Sequence, residues 1–110
     1  MRALAVVLMC LPGMAAAQDW VRQDDAGIMA ALGGKTVRYD AYTIQHFSKA
    51  GDTQYITERA ADGRWAARAG QYCSVWPPSD TWTCYDFYLA GDLVQFIGSD
   101  RSVSQGTILK

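Results

Sequence analysis

Metal-binding side chains are scarce in this chain. Its 110 residues include one histidine, His46, and three cysteines, Cys10, Cys73 and Cys84. A structural zinc ion takes four ligands, and the spacing of Cys73 and Cys84 does not match a metal-binding knuckle. No G-x-G-x-x-G segment follows a strand-like run, and residues 32–36 (LGGKT) lack the leading glycine of a P-loop. We therefore expect no metal site and no cofactor.

Positive charge is not in excess. Lysine and arginine together number 10, aspartate and glutamate 11, and the formal net charge is −1 at pH 7. A nucleic-acid-binding surface needs clustered lysine and arginine to neutralise phosphates, and an anionic membrane attracts similar clusters. The composition therefore predicts no nucleic-acid partner and no polybasic membrane-binding patch.

Long apolar runs are also absent. The longest, residues 3–11, has nine residues, whereas a transmembrane helix needs about twenty. Arg2 precedes this run and an A-x-A sequence at residues 15–17 follows it, which is the order found in a secretory signal peptide. Residues 1–17 are therefore predicted to be removed on export. The remaining residues, 18–110, are predicted to form a single β-rich domain with no membrane insertion.

Export implies an oxidising location, in the periplasm of a Gram-negative bacterium or outside the cell. An alternative is a lipoprotein modified at Cys10, but that modification favours a small residue before the cysteine, and here Met9 precedes it. Loss of Cys10 with the signal peptide leaves two cysteines. An even number in an exported protein indicates a disulfide, which must join Cys73 to Cys84.

The apolar spacing changes once along the mature chain. Residues 24–34 have helical spacing, with an apolar stripe formed by Ile28, Met29 and Leu32. Asp24 or Asp25 is expected to cap this helix, and two glycines end it. Later, short β-rich runs alternate with turn residues, and the predicted strands are residues 35–40, 42–47, 53–59, 64–69, 71–76, 81–89 and 93–98, with a weaker run near the C-terminus. The sequence predicts a mainly β fold, an antiparallel meander forming a small barrel or half-barrel with one short N-terminal helix.

Two dipeptides predict hairpin turns. Asp62-Gly63 and Gly91-Asp92 carry residues favoured in two-residue turns. The Gly91-Asp92 turn defines an apolar face by placing Leu89 opposite Val94 and Phe87 opposite Phe96. Direct pairing of the two cysteines leaves residues 77–80 as a loop and puts Tyr72 opposite Tyr85.

These pairings agree only if the side-chain alternation shifts by one residue at Gly70. An Asp62-Gly63 turn otherwise carries Trp65 onto the face of Cys73, away from Tyr72. A β-bulge at Gly70 restores the agreement, and glycine inside a strand is typical of bulges. The disulfide then lies on the outer face. The predicted core consists of Trp65, Tyr72, Tyr85, Phe87, Leu89, Val94 and Phe96.

Aromatic residues are concentrated between residues 65 and 88. Most are expected to fill the core of a small β domain, but Trp76 and Trp82 flank Pro77 and Pro78 in the predicted loop. Tryptophan beside proline supplies a stiff contact area. These four residues are therefore the candidate surface for a small ligand or an envelope protein.

Two polar residues are weaker candidates for chemistry. His46 lies near a strand end, and Glu58 is predicted to lie opposite Ala67, on the face of Trp65. A carboxylate there would be partly desolvated, as in a general acid, although pairing with arginine or exposure to solvent is the simpler interpretation. Asp86 is predicted to lie on the outer face, which argues against a pair of catalytic carboxylates. No catalytic residue is assigned.

A resemblance covers most of the mature chain. The segments are F-x-x-x-G-x-x-x-Y, at Phe47, Gly51 and Tyr55, and W-x-x-x-x-G-x-Y-C-S-x-W-P-P-S-D-x-W-x-C-Y-D, at residues 65–86. They resemble a group of short exported alphaproteobacterial proteins of unknown function. Similar chains are sometimes labelled dihydrodipicolinate reductase, a larger cytoplasmic Rossmann enzyme whose dinucleotide fingerprint this chain lacks, so the sequence does not support that label. The G-x-W and C-x-x-W patterns also resemble small lipocalin-like periplasmic domains.

The sequence as a whole favours an exported, periplasmic, non-catalytic protein that binds a small ligand or an envelope protein. The alternative is a small envelope enzyme that uses His46 or Glu58. A cavity that converges on either residue would favour the enzyme.

Overall fold

The computed structural model describes residues 18–110. The predicted signal peptide, residues 1–17, lies outside the described residues. The elements in chain order are β1 (Val21–Arg22), α1 (Asp25–Leu32), β2 (Lys35–Asp40), β3 (Thr43–Phe47), β4 (Asp52–Ile56), β5 (Ala60–Arg68), β6 (Gln71–Val75), β7 (Thr83–Ala90), β8 (Leu93–Ile97) and β9 (Val103–Leu109). No helix within residues 18–110 has the length and hydropathy needed to cross a membrane.

Strands β2 to β9 form a closed antiparallel barrel. Each strand pairs with the next one along the chain, and β9 pairs with both β8 and β2, which closes the sheet. The predicted meander is therefore confirmed, as a complete eight-stranded barrel. Strand β1 lies outside this closure and pairs with β7, where Val21 is opposite Leu89.

Helix α1 covers one end of the barrel. The Asp24 carboxylate caps it by accepting a hydrogen bond from the Gly27 amide at 2.8 Å. Ile28 and Leu32 are fully buried and join the aromatic core. Met29, predicted to share their stripe, is instead 41% exposed, because each residue advances about 100° around a helix and carries Met29 off the buried face.

The core lies at this covered end and in the middle of the barrel. Trp65, Tyr72, Phe87, Val94 and Phe96 are buried as predicted, and Tyr85 and Leu89 pack against them while partly exposed. The buried residues that were not in the predicted core include Val37 on β2 and Phe47 on β3.

The prediction of a turn at Asp62-Gly63 is wrong. Both residues lie inside β5, where Gly63 is opposite Thr53 and Asp62 is opposite Gln54. The turn that joins β4 to β5 comes earlier, at residues 57–59. Glycine is needed at position 63 for space, because a Cβ atom there would lie 2.6 Å from Cε3 of Trp76.

The predicted bulge at Gly70 is also wrong. Ala69 and Gly70 form the two-residue turn between β5 and β6, with φ values of 51° and 78°. Positive φ at both central residues is the requirement of a tight hairpin turn that follows the twist of its strands. Ala67 consequently pairs with Tyr72, which brings the Trp65 face and the Tyr72 face together without a bulge.

The other predicted pairings are confirmed. Leu89 is opposite Val94, and Phe87 is opposite Phe96, across the Gly91-Asp92 turn. Cys73 is opposite Cys84, and their sulfur atoms form a disulfide of 2.06 Å. The β6–β7 ladder ends one pair further on, at Ser74 and Thr83, so the connecting loop is longer than the predicted residues 77–80.

The disulfide is expected to make a large contribution to stability. It joins residues separated by 11 positions, and closing a loop of this length restricts the unfolded chain by about 3 kcal/mol. We expect the double variant Cys73→Ala/Cys84→Ala to lose about that much free energy of unfolding in urea denaturation. Dithiothreitol is expected to lower the wild-type midpoint and leave the variant unchanged. A wild-type midpoint insensitive to complete reduction would contradict this role.

Candidate ligand-binding cavity

The end of the barrel opposite α1 contains a cavity. Because the strands alternate in direction, the β2–β3, β4–β5, β6–β7 and β8–β9 connections all lie at this end. The cavity has a volume of about 540 Å³, within the range of small-molecule sites. Its lining residues come from all eight barrel strands and from the start of the β6–β7 loop: Tyr39, Gln45, Tyr55, Ala61, Tyr72, Ser74, Trp76, Tyr85, Phe96, Ser104 and Gln105.

Aromatic rings form most of the cavity wall. The Tyr72 ring lies edge-on to Phe96, with centroids 4.9 Å apart, and 6.1 Å from the Tyr85 ring. On the other side Tyr55 lies 5.9 Å from Tyr39 and edge-on to Trp76 at 6.2 Å. These contacts fix the positions of the rings relative to one another.

The polar groups of the cavity are joined through the buried amide of Gln45. The Tyr39 hydroxyl donates to Oε1 of Gln45 at 2.7 Å, and Nε2 of Gln45 donates to Oγ1 of Thr53 at 2.9 Å and to the Tyr72 hydroxyl oxygen at 3.3 Å. The Thr53 hydroxyl in turn donates to the carbonyl oxygen of His46 at 2.7 Å. Gln45 is 4% exposed, and these bonds give its buried amide oxygen and nitrogen the hydrogen-bond partners that buried polar atoms need.

Burial keeps two of the cavity tyrosines protonated. It raises the pKa of Tyr72 to about 12, although hydrogen bonds with Ser74 and Gln45 act in the opposite direction. Burial also raises the pKa of Tyr39 far above its usual value. Both hydroxyls are therefore neutral hydrogen-bonding groups at physiological pH.

Trp76 is held against the cavity by two contacts. Its indole N–H donates to Oγ of Ser74 at 3.2 Å. Its ring packs over Gly63, where the absence of a side chain leaves room for it. Trp76 is consequently half-buried and takes part in the wall of the cavity.

The other members of the predicted Trp-Pro surface lie elsewhere. Trp82 does not line the cavity, and the guanidinium carbon of Arg68 lies 4.1 Å from the centre of its ring. Trp82 is 37% exposed, and Pro77 and Pro78 are exposed in the loop between the two tryptophans. The structure therefore divides the four residues between the cavity wall, an outer surface and the connecting loop.

Glu58 is not where the sequence predicted it. It lies exposed in the turn between β4 and β5, and the residue opposite Ala67 is Tyr72. The error follows from the misplaced Asp62-Gly63 turn, which shifted the whole pairing of β4 with β5.

His46 and Asp86 are both on the outside of the barrel. His46 is exposed, and its Nδ1 lies 2.6 Å from Oγ1 of Thr36. Asp86 pairs with Arg22 at 2.7 Å, on the outer face as predicted. Neither His46 nor Glu58 lines this cavity. His46 instead lines a second hollow of about 670 Å³, together with Thr36, Ile44 and Asp92. Within residues 18–110, no three His, Cys, Asp or Glu side chains are grouped as metal ligands would be.

Three residues that are important in the cavity wall were not predicted from the sequence as site residues: Tyr39, Gln45 and Tyr55. One signal for Gln45 was available in β3, where Thr43, Gln45 and Phe47 alternate with Ile44 and His46. Since Phe47 is apolar, the alternation predicts that Gln45 shares its inward face. An inward glutamine needs polar neighbours, and this requirement points to a polar interior.

Adding a methyl group at Gly63 is expected to displace Trp76. In Gly63→Ala the new Cβ would lie 2.6 Å from Cε3 of Trp76 and 2.7 Å from the carbonyl oxygen of Val75, so the indole must leave the wall. We expect tryptophan emission to shift to longer wavelength. Repeating the substitution in a Trp76→Phe background supplies the control, where the shift should vanish. A shift of equal size in that background would show that another tryptophan moved.

The pKa of Tyr72 predicts a loss of stability in alkaline solution. The unfolded chain releases this proton near pH 10.0 and the folded chain near pH 12, so the contribution is complete below pH 10 and is lost as the pH rises to about 12. We expect the free energy of unfolding to fall by about 3 kcal/mol from this group. Urea denaturation between pH 9 and 12 should show a shallower fall for Tyr72→Phe. Equal slopes for the two proteins would contradict the assignment.

Comparison with known proteins adds no family to this description. The chain matches no family model, no curated protein and no solved structure. The function is therefore argued from the cavity and the side chains that line it.

Proposed function

We propose that this protein is an exported binding protein that holds a small uncharged ligand in the cavity of its barrel. The observation that carries the proposal is the cavity itself: about 540 Å³ of space at the barrel end that α1 does not cover. A single layer of eight strands encloses either packed side chains or room for one small ligand. In this barrel α1 and the core fill one end, and the other end retains the space.

The lining supports an uncharged ligand. Its side chains are aromatic, hydroxyl or amide groups, together with Ala61, and none carries a formal charge at neutral pH. A charged ligand group would lose its hydration there without gaining an ion pair, which is unfavourable. The aromatic side chains instead offer apolar contact with a few fixed polar groups, as in many small-molecule sites.

Export to the periplasm is the location we propose. It is supported by the signal-peptide pattern in the sequence and by the disulfide between Cys73 and Cys84, a bond that persists in oxidising compartments. The binding protein would then be stabilised by a disulfide that forms in the compartment where it acts.

Binding is favoured over the alternative of a small enzyme. A catalytic use of His46 or Glu58 requires one of them to face the bound molecule. Both lie outside the lining of the cavity, and the tyrosines that do line it include two with a raised pKa. The geometry therefore supports holding a molecule more directly than transferring its protons.

A thermal-shift screen of the mature domain against envelope metabolites tests the proposal. We expect at least one uncharged compound to raise the melting temperature, because a ligand that binds only the folded state stabilises it. Trp76→Ala should weaken that binding by about 10- to 100-fold, since it removes a large part of the aromatic wall.

Trp82→Ala is the matched control, because Trp82 lies outside the cavity and the substitution should leave the affinity unchanged. A loss confined to Trp82→Ala would point instead to an outer surface that engages an envelope protein. The absence of any shift across the screen, or a hit whose affinity is unchanged in Trp76→Ala, would contradict a cavity ligand.

A further inference from the structure

We infer that a soluble thiol attacks the disulfide of the folded protein at the sulfur of Cys84, so that Cys84 is the residue that becomes thiolated and Cys73 is the leaving group. The inference goes beyond the proposed function and does not depend on a ligand in the cavity. It follows from the neighbours that the strand pairing gives to each of the two cysteines.

The disulfide lies on the outer face of the barrel. Tyr72 and Ser74, on either side of Cys73 in the chain, line the cavity, and successive side chains of a strand point to opposite faces. Cys73 therefore points outward, and so does Cys84, which is paired with it on β7. A thiol in solution consequently approaches the disulfide from outside the barrel, without passing through the cavity.

The two cysteines differ in their exposure to solvent. Cys73 is 1% exposed, whereas Cys84 is only partly buried. An outward-pointing side chain becomes this deeply buried only where neighbouring side chains cover it. Access to the sulfur atom is one of the factors that set the rate of thiol–disulfide exchange, so the difference in exposure favours attack at Cys84.

The side chains of Arg68 and Trp82 meet above the cysteine pair. Arg68 lies two residues after Ala66, the partner of Cys73 on β5, and Trp82 lies two residues before Cys84. Because β5 and β7 run in the same direction, the two residues lie on opposite sides of the cysteine pair. The guanidinium carbon is nevertheless 4.1 Å from the centre of the indole ring, so this contact has to span the row that contains Cys73. We call the two side chains the Arg68–Trp82 cover.

The strand pairing also leaves the two ends of the disulfide in different surroundings. On the side away from Cys84, Cys73 is flanked by Ala66 of β5. On the side away from Cys73, the β7–β8 ladder stops at Asp86, so no residue of β8 is paired with Cys84. A thiolate displaces one sulfur by approaching the other from behind, along the S–S axis. This approach is open at Cys84 and obstructed at Cys73.

The exchange step needs only a thiol as its reactant. The sulfur of a thiolate, such as that of glutathione, forms a bond to Sγ of Cys84 while the bond between the two Sγ atoms breaks. The electron pair of the broken bond stays on Cys73, which leaves as a thiolate and takes a proton from water. The incoming sulfur is oxidised to the mixed disulfide, and the sulfur of Cys73 is reduced.

The position of the mixed disulfide in the wild-type mature domain tests the inference. The folded protein is exposed briefly to excess glutathione and quenched with acid, which stops the reverse reaction, and its peptic peptides are mapped by mass spectrometry. We expect glutathione on Cys84 about tenfold or more often than on Cys73, because access governs the attack. In concentrated guanidinium chloride, where the fold is absent, the two cysteines are expected to be modified to about the same extent.

Substitutions in the Arg68–Trp82 cover test its part in this preference. Trp82→Ala removes the ring from the cover, and the preference for Cys84 is expected to fall to about threefold or less as Cys73 becomes accessible. Trp82→Phe keeps a ring beneath Arg68 and should retain the preference. Tyr42→Ala is the matched control, since Tyr42 is an exposed aromatic residue in the β2–β3 turn, and it should leave the preference unchanged.

Urea separates attack on the folded protein from attack on unfolded chains. At urea concentrations well below the unfolding midpoint, the rate of mixed-disulfide formation is expected to stay constant in the wild type and in Trp82→Ala. Exchange that required unfolding would accelerate with urea, because the unfolded population rises. A constant rate in Trp82→Ala also attributes its altered preference to the lost cover.

Four results would each overturn the inference: equal modification of both cysteines in the folded wild type, a preference for Cys73, a preference that is unchanged in Trp82→Ala, or a rate that rises with urea. Complete resistance of the folded protein to glutathione would overturn it as well. None of these results bears on the thermal-shift screen, so the inference and the proposed function succeed or fail separately.

Discussion

The interior of an eight-stranded barrel is just large enough to be filled by side chains or to hold one small ligand. How this interior is divided between packed side chains and open space determines the other features of the molecule. Helix α1 places Ile28 and Leu32 into one end, where they meet Phe47 and the neighbouring aromatic rings. No second helix covers the other end within residues 18–110. The rings there line a space that they do not fill, and this space is the candidate site.

Polar groups are tolerated inside this barrel because they satisfy one another. The Gln45 amide is the centre of this arrangement, since it contacts Tyr39, Thr53 and Tyr72. An unpaired amide at that depth would cost about 1–3 kcal/mol. The same bonds that make Gln45 acceptable in the interior also hold the side chains of Tyr39 and Tyr72 in the cavity wall, so stability and the shape of the candidate site depend on one set of contacts.

The sequence predicted the parts of the fold that depend on local or direct pairing. The Gly91-Asp92 turn, the opposition of Cys73 and Cys84, and the capped helix followed from residue types at short separation. The Asp62-Gly63 error shows where this reasoning stops. Glycine there makes room for Trp76, 13 positions away in the chain, and a dipeptide does not reveal whether its glycine provides conformational freedom or space.

The cavity was harder to predict than the barrel, because its wall also depends on contacts between residues far apart in the chain. Trp76 was recognised as a candidate, but its partner in the wall, Tyr55, comes from a strand whose register was shifted by the misplaced turn. Tyr39 and Gln45 come from strands that were predicted without a register, and their role appears only when the barrel closes and their side chains converge. A site made of single residues from many strands leaves no contiguous motif in the sequence.

The disulfide has a consequence for the site beyond the stability of the domain. The ladder between β6 and β7 runs only from the Tyr72–Tyr85 pair to the Ser74–Thr83 pair, with the cysteines between them. Three residues of the cavity wall, Tyr72, Ser74 and Tyr85, are therefore direct chain neighbours of the bridge. Formation of the disulfide links β6 to β7 within this short ladder, next to these residues of the cavity wall. Reduction of the disulfide is therefore expected to alter the shape of the candidate site as well as to lower the stability of the fold.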